Sequence, residues 1–274
     1  RTAVGPFFGA TEALCIAELA SQHDHIVVLV DDTSSAIALE REIPFFLTRE
    51  IELLNFPDWE ILPYDYFSPH QDIVSERLRT LYRLPTVDRG ILIVPIATAM
   101  HRLPPVDYVA SNALQLQIGD QLDAVAFRQK LLNAGYSAVD TVYEHGEFAL
   151  RGSLLDVFPM GSNAPYRIDT MDTEVDSIRT FDPETQRTVT SIERIDLLPA
   201  REFPMTKAAL NRFMMNWYDA FDVDHDACAM YREVLAGRVP GGTEYFLPLF
   251  FEATATLFDF LPANTAVITV GDHH

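Results

Sequence analysis

The sequence is poor in cysteine, lysine and net positive charge. Cys15 and Cys228 are its only cysteines, too few for a disulfide framework, so a reducing compartment is the simple reading. Lysine occurs twice, at Lys130 and Lys207; the other 18 of 20 cations are arginines, set against 40 acids for a formal net charge of -20. A field of that sign repels phosphate backbones and argues against a general nucleic-acid coat. Arginine suits planar, bidentate protein contacts better than diffuse attraction. Apolar runs such as residues 91–96 fall far short of a membrane span. No charged, apolar and small-residue signal opens the chain, so a cytoplasmic, membrane-free protein is expected. The terminal His273-His274 pair reads as the edge of a purification tag and is set aside from metal arguments.

What the chain does contain is a globular balance, 48% apolar and 22% charged, over 274 residues. At roughly 150 residues per domain that length implies about two domains. Residues 5–112 alternate between helical spacing (11–21, 34–47, 72–84) and unbroken apolar runs (26–30, 90–95) of the kind buried in parallel sheets. That alternation predicts an α/β layer fold. Near Leu114 the pattern changes. A helix over 123–134 ends at Gly135, and period-two runs follow at 139–143, 147–150, 153–158, 166–171, 174–181 and 189–197. These predict an antiparallel meander. Helices are expected over 207–221 and 226–236, then an aromatic stretch and a last buried strand over 266–270. The partition is therefore 1–113, 114–199 and 200–274, with the first and third parts expected to form one larger unit around the inserted meander.

Few segments offer chemistry. A phosphate loop needs glycines, a lysine and a hydroxyl. In residues 6–13, Pro6 and Thr11 stand where the two glycines belong, Glu12 replaces the lysine and Ala13 the hydroxyl; only Gly9 is retained between them. An anion about 4 Å from a phosphate is repelled on the order of 4 kcal/mol at an effective dielectric of 20. An ordinary loop and helix start is the better reading. Asp222, Asp224, Asp226 and Glu233 mimic a calcium loop, but Ala227 stands where the turn needs glycine, so an acidic helix start is preferred. His145-Gly146-Glu147 sits at a hairpin corner, which explains the glycine without catalysis. The aromatic stretch 56–67 carries acids at 58, 60 and 65, so packing onto the core is preferred over base stacking. Cys15 reads as a buried, inert thiol. The meander holds the most suggestive polar set: Arg151, Arg167, Arg179, Arg187 and Arg194, with Met171 nearby. Arginines on one sheet face have the make-up of a protein-binding hot spot, unless each pairs with a local acid.

Residues 56–84 (FPDWEILPYDYFSPHQDIVSERLRTLYRL), 90–102, 143–169 (YEHGEFALRGSLLDVFPMGSNAPYRID) and 181–188 closely resemble the N-terminal part of the bacterial transcription-repair coupling factor family, Mfd. That region is in turn similar to the excision-repair protein UvrB. The resemblance implies a helicase-like, P-loop-type but degenerate parallel-sheet domain (1a, residues 1–113). It also implies an inserted antiparallel α+β domain 2 (114–199) that docks on the UvrA ATPase, and a domain 1b (200–274) cut short. The chain departs from UvrB in having Gly271-Asp272 where UvrB has its acidic Asp-Glu motif, and only residues 68–73 stand where its damage-gripping hairpin falls. In the family, arginines matching Arg151 and Arg167 contact UvrA, with an aromatic matching Met171.

The resemblance thus implies a module without catalytic residues, metal or cofactor that recruits UvrA to RNA polymerase stalled at a DNA lesion. ATP and Mg, hydrolysis, polymerase contact and DNA translocation are expected only in later domains of the full-length protein. Its C-terminal domain is expected to cover domain 2 at rest. The competing readings are an ATP-dependent DNA translocase or helicase complete in this chain, and a purely structural clamp. ATP lodged beside Glu12, or the two arginines locked in internal ion pairs with no outward reach, would end the adaptor reading.

Overall fold

The computed structural model describes residue 5, residues 7–63 and residues 65–271. Its contacts divide the chain into two compact units. One gathers the chain up to Asp58, Thr80–His101 and the part from Thr256; the other gathers Trp59–Arg79 and Arg102–Ala255. This division falls elsewhere than the three-part sequence partition. Residues 200–255 group with the meander, and only the chain from Thr256 joins the first unit.

The first unit is built on a parallel sheet ordered Ala266–Val270, His25–Val30, Gly90–Pro95, Glu52–Asn55. The two central strands are apolar on both faces, as strands buried in a parallel sheet require. Gly90–Pro95 is buried at every position. Helix Thr11–Gln22 lays Ala13, Ile16 and Ala20 against Val28 and Val30. Helix Thr33–Phe46 adds Ala36, Leu39 and Ile43 to that core. Asp32, held extended before this helix, caps it by accepting the Ser35 N–H at 2.8 Å. That hydrogen bond holds the Asp32 carboxyl below its usual range. The strand expected to be buried at 266–270 instead alternates, with Val267 and Thr269 exposed. As the sheet's outermost strand among the described residues, it has a neighbour on one side only.

The second unit holds a six-stranded sheet ordered Thr188–Ile192, Glu174–Phe181, Tyr166–Met171, Leu154–Val157, Glu147–Arg151, Ser137–Ala138. All its neighbours are antiparallel except the last pair. The run expected over 189–197 breaks at Glu193. Thr188–Ile192 stays in this sheet, while Arg194–Leu197 pairs with Leu114–Gln117 in a separate ribbon. The strand expected over 139–143 does not form. Asp123 caps helix Ala124–Asn133 by accepting the Val125 and Ala126 N–H groups at 2.9 and 3.0 Å. Helices Lys207–Ala220 and Ala229–Leu235 close around Phe213, Trp217, Tyr231, Val234 and Phe250.

One buried ion pair ties distant parts of this unit together. Arg77, fully buried, forks onto Glu202 at 2.5 and 3.1 Å, and its guanidinium lies 4.6 Å over the Trp59 ring. The Trp59 indole N–H donates to the same carboxylate at 3.2 Å. A buried charge without such partners carries a penalty of several kcal/mol. No helix among the described residues is long and apolar enough to cross a membrane.

Candidate functional site

Arg151, Arg167 and Arg179 meet on one face of the six-stranded sheet, whereas Arg187 lies in the turn before Thr188–Ile192 and Arg194 sits in the separate ribbon, 3.6 Å from Asp196. Directly opposed residues on neighbouring strands share a face, as do positions two apart along one strand. The pairs Ala149↔Asp156, Asp156↔Arg167 and Arg167↔Arg179 therefore form one row across four strands. Arg151 and Leu154, themselves paired, lie in the next row of the same face. The other face carries Phe148, Leu155, Val157, Ile168 and Ile178, all buried.

Arg151 reaches the row from a hairpin tip. Gly152 follows it at φ +64, a conformation that costs glycine little and lets a two-residue turn return the chain to Leu154. The guanidinium of Arg151 donates to Asp156 Oδ2 at 2.5 Å. Arg167 donates to the same carboxylate from Nε at 2.7 Å and from Nη2 at 2.8 Å. Its Nη1 donates to the Gln186 carbonyl at 3.0 Å, and the group lies 4.7 Å over the Phe181 ring. The hydrogen bonds to Asp156 push the Arg167 guanidinium above its usual range.

Asp156 is the residue that sequence reasoning missed. Its side chain is completely buried, so its charge requires compensation, and two cations supply it. The signal was present: a lone acid inside Leu154-Leu155-Asp156-Val157-Phe158, an otherwise apolar strand. Two guanidiniums on one carboxylate leave a formal excess of +1 on the triad itself, while Arg179, Asp169 and Glu147 share the same face.

The two arginines expected to fork outward to a partner differ in exposure. Arg167 has a side chain only 19% exposed and spends its donors on Asp156 and the 183–187 turn. It is chiefly internal. Arg151 is 50% exposed and spends one hydrogen bond on Asp156, so its other donors face outward. Met171 ends the strand that carries Arg167 and is 70% exposed. They are four positions apart, about 13 Å at the strand rise, and the register shifts between Asp169 and Thr170.

The other candidates have structural occupations. Pro6 lies outside the described residues, as do Asp272, His273 and His274. Gly9 is in the turn before helix Thr11–Gln22, the Thr11 hydroxyl donates to the Phe8 carbonyl at 2.7 Å, Glu12 is in the first helical turn and Ala13 is a core methyl. Glu12 and Ala13 put a carboxylate and a methyl where a phosphate loop carries its lysine and hydroxyl. The helix after residue 67 begins at Gln71, leaving three residues between. His145 has both ring nitrogens engaged, with Asp72 at 2.7 Å and the Ser162 carbonyl at 2.8 Å. Glu147 accepts the Tyr143 and Glu144 N–H groups at 2.8 and 2.9 Å. Gly146 between them takes φ +80 with Met160 pressed close, so this corner is a turn.

Asp224 caps a short 3-10 turn through the Asp226 N–H, and Glu233 pairs with Arg238. Among the described residues no cluster of three or more His, Cys, Asp or Glu is placed to hold a metal. Cys15 is half-buried. In the aromatic stretch Phe56 and Trp59 pack inside as expected, but Leu62, Tyr66 and Phe67 are exposed and Tyr64 lies outside the described residues. A cavity of about 290 Å³ in the second unit is lined by His145, Glu147, Arg201, Glu202 and Glu244 among others. Burial pushes the Glu244 carboxyl up to about 7 and lowers Arg201.

Comparison with known proteins places this face in context. Residues 114–203 match the family described as UvrB interaction domain. Over 271 residues, 98% of the chain, it is 48% identical to the transcription-repair-coupling factor of Escherichia coli (strain K12). Over 267 residues, 97% of the chain, it is 44% identical to that of Haemophilus influenzae. A Staphylococcus aureus (strain USA300) counterpart is 32% identical over 203 residues, 74% of the chain. The chain spans 23% of the length of the first two relatives and 17% of the third. The resemblance read from the sequence is to the N-terminal region of these proteins.

Proposed function

We propose that this chain, similar over nearly its whole length to the N-terminal region of transcription-repair-coupling factors, is a non-catalytic docking module for UvrA. In that role it brings the excision-repair ATPase to RNA polymerase stalled at a DNA lesion, in the cytoplasm. ATP hydrolysis, polymerase contact and DNA translocation belong to later domains of the full-length protein, whose C-terminal domain covers this face at rest.

The observation that carries the reading is the Arg151–Asp156–Arg167 triad. It lies inside the residues that match the UvrB interaction domain and concentrates positive charge on a chain of net charge -20. A guanidinium that presents free donors from a hairpin tip is suited to a carboxylate on a partner. Arg167 supports the site by holding Asp156 and the 183–187 turn in place. Met171 offers an apolar contact at the strand end without ring stacking. The substitutions Glu12 and Ala13 favour this reading over a self-sufficient translocase.

The test is a pull-down with purified UvrA. Arg151→Ala, which leaves both Arg167 hydrogen bonds to Asp156 in place, is expected to weaken binding by roughly 2–4 kcal/mol, the cost of a hot-spot anchor. Retention of parent-level binding would remove Arg151 from the interface.

A further inference from the structure

We infer that Arg179 is a third cationic contact of the same face and that it meets a carboxylate on the docking partner. The inference rests on the docking reading above. Arg179 stands directly opposite Arg167 across the antiparallel pair, so two guanidiniums occupy one cross-strand position. Like charges so placed destabilise a sheet. Arg167 has Asp156 to offset it, but that carboxylate is already shared with Arg151.

Arg179 has no such relief. On its other side it is opposed by Ser191, which carries no charge. Asp169 lies on the diagonal and accepts from the Ser153 hydroxyl at 3.3 Å. Among the described residues the polar partner of the Arg179 side chain is the hydroxyl of Ser177, two positions back on its own strand, at 3.0 Å. Arg179 itself is exposed. An exposed arginine beside a second arginine, with a hydroxyl for company, gains little within the fold. A carboxylate delivered from outside would neutralise it through a charge-assisted hydrogen bond. Arg151 and Arg179 thus form the outward-facing pair, and Arg167 between them holds the row in register.

The experiment is a calorimetric titration of UvrA with the parent chain, Arg179→Gln, Arg179→Lys, Arg151→Ala and, as a control outside this sheet, Arg212→Gln on the exposed side of helix Lys207–Ala220. Urea midpoints are measured for each. Arg179→Gln is expected to raise Kd by about tenfold or more, a hot-spot effect, and Arg179→Lys to restore part of the loss. The control is expected to bind as the parent does. The urea midpoint of Arg179→Gln is expected to equal or exceed that of the parent, because a repulsion is removed. A lower midpoint would mark Arg179 as a structural residue and overturn the inference. Unchanged affinity in Arg179→Gln alongside a loss in Arg151→Ala would also overturn it and leave the docking reading standing. Absence of saturable binding by the folded parent would take both down together.

Discussion

Asp156 sits at the centre of the account at the residue scale. It is sealed from water and accepts three hydrogen bonds from two arginines, so the fold depends on its charge as much as the face does. Asp156→Asn keeps the shape but leaves two guanidiniums without an anion. Breaking a buried pair in this way typically costs about 3 kcal/mol, so a lowered urea midpoint is expected, while an unchanged one would show that the triad is not load-carrying for the fold. Glu244 gives a second prediction. Its carboxyl is pushed up to about 7 by burial, above an unfolded value near 4.5. Between those values the folded chain holds more protons than the unfolded chain, so stability falls as pH rises from about 4.5 through about 7. Glu244→Gln is expected to remove that slope from the pH dependence of the thermal midpoint; a variant with the parent's slope would assign the titration to another group.

At the scale of elements, the legible features were those with a local cause. The unbroken runs at 26–30 and 90–95 became the central parallel strands, since a strand covered on both faces needs apolar residues throughout. Period-two runs at 166–171 and 174–181 became strands with those bounds. What was not legible depended on neighbours in space. The run at 189–197 carries apolar residues at 189, 192, 195 and 197, yet it serves two sheets, because Leu114–Gln117 captures its second half. Asp156 reads as an interruption until its partners, five and eleven residues away, fold across the sheet to it. Arg77 and Glu202 are 125 residues apart and share no sequence pattern. The loop at Gly152 did have a local reason, the two-residue hairpin that places Arg151 at its tip. Gly152→Val forces a β-branched residue to a positive φ and is expected to cost about 1–3 kcal/mol. It should also weaken UvrA binding by displacing Arg151. A variant as stable as the parent would show that the turn tolerates another geometry.

At the scale of the whole molecule, two kinds of layer divide the work. The parallel-sheet unit has the strand order and helices of an α/β layer fold, while the first turn of its leading helix carries Glu12 and Ala13. The antiparallel unit carries the arginine face. No DNA-stimulated ATP hydrolysis is expected from this chain; a phosphate-release assay giving turnover above a buffer blank would revive the translocase reading. Arg151 and Arg179 are exposed cations on a chain with 40 acids and 20 cations, and association through them should weaken as salt screens the contact.

The most direct measurement is a calorimetric titration of purified UvrA with this chain at low and at physiological ionic strength. The account predicts saturable binding that is tighter at low salt and is lost or severely weakened in Arg151→Glu. A folded chain that produces no saturable heat with UvrA, or an Arg151→Glu variant that binds as tightly as the parent, would contradict it.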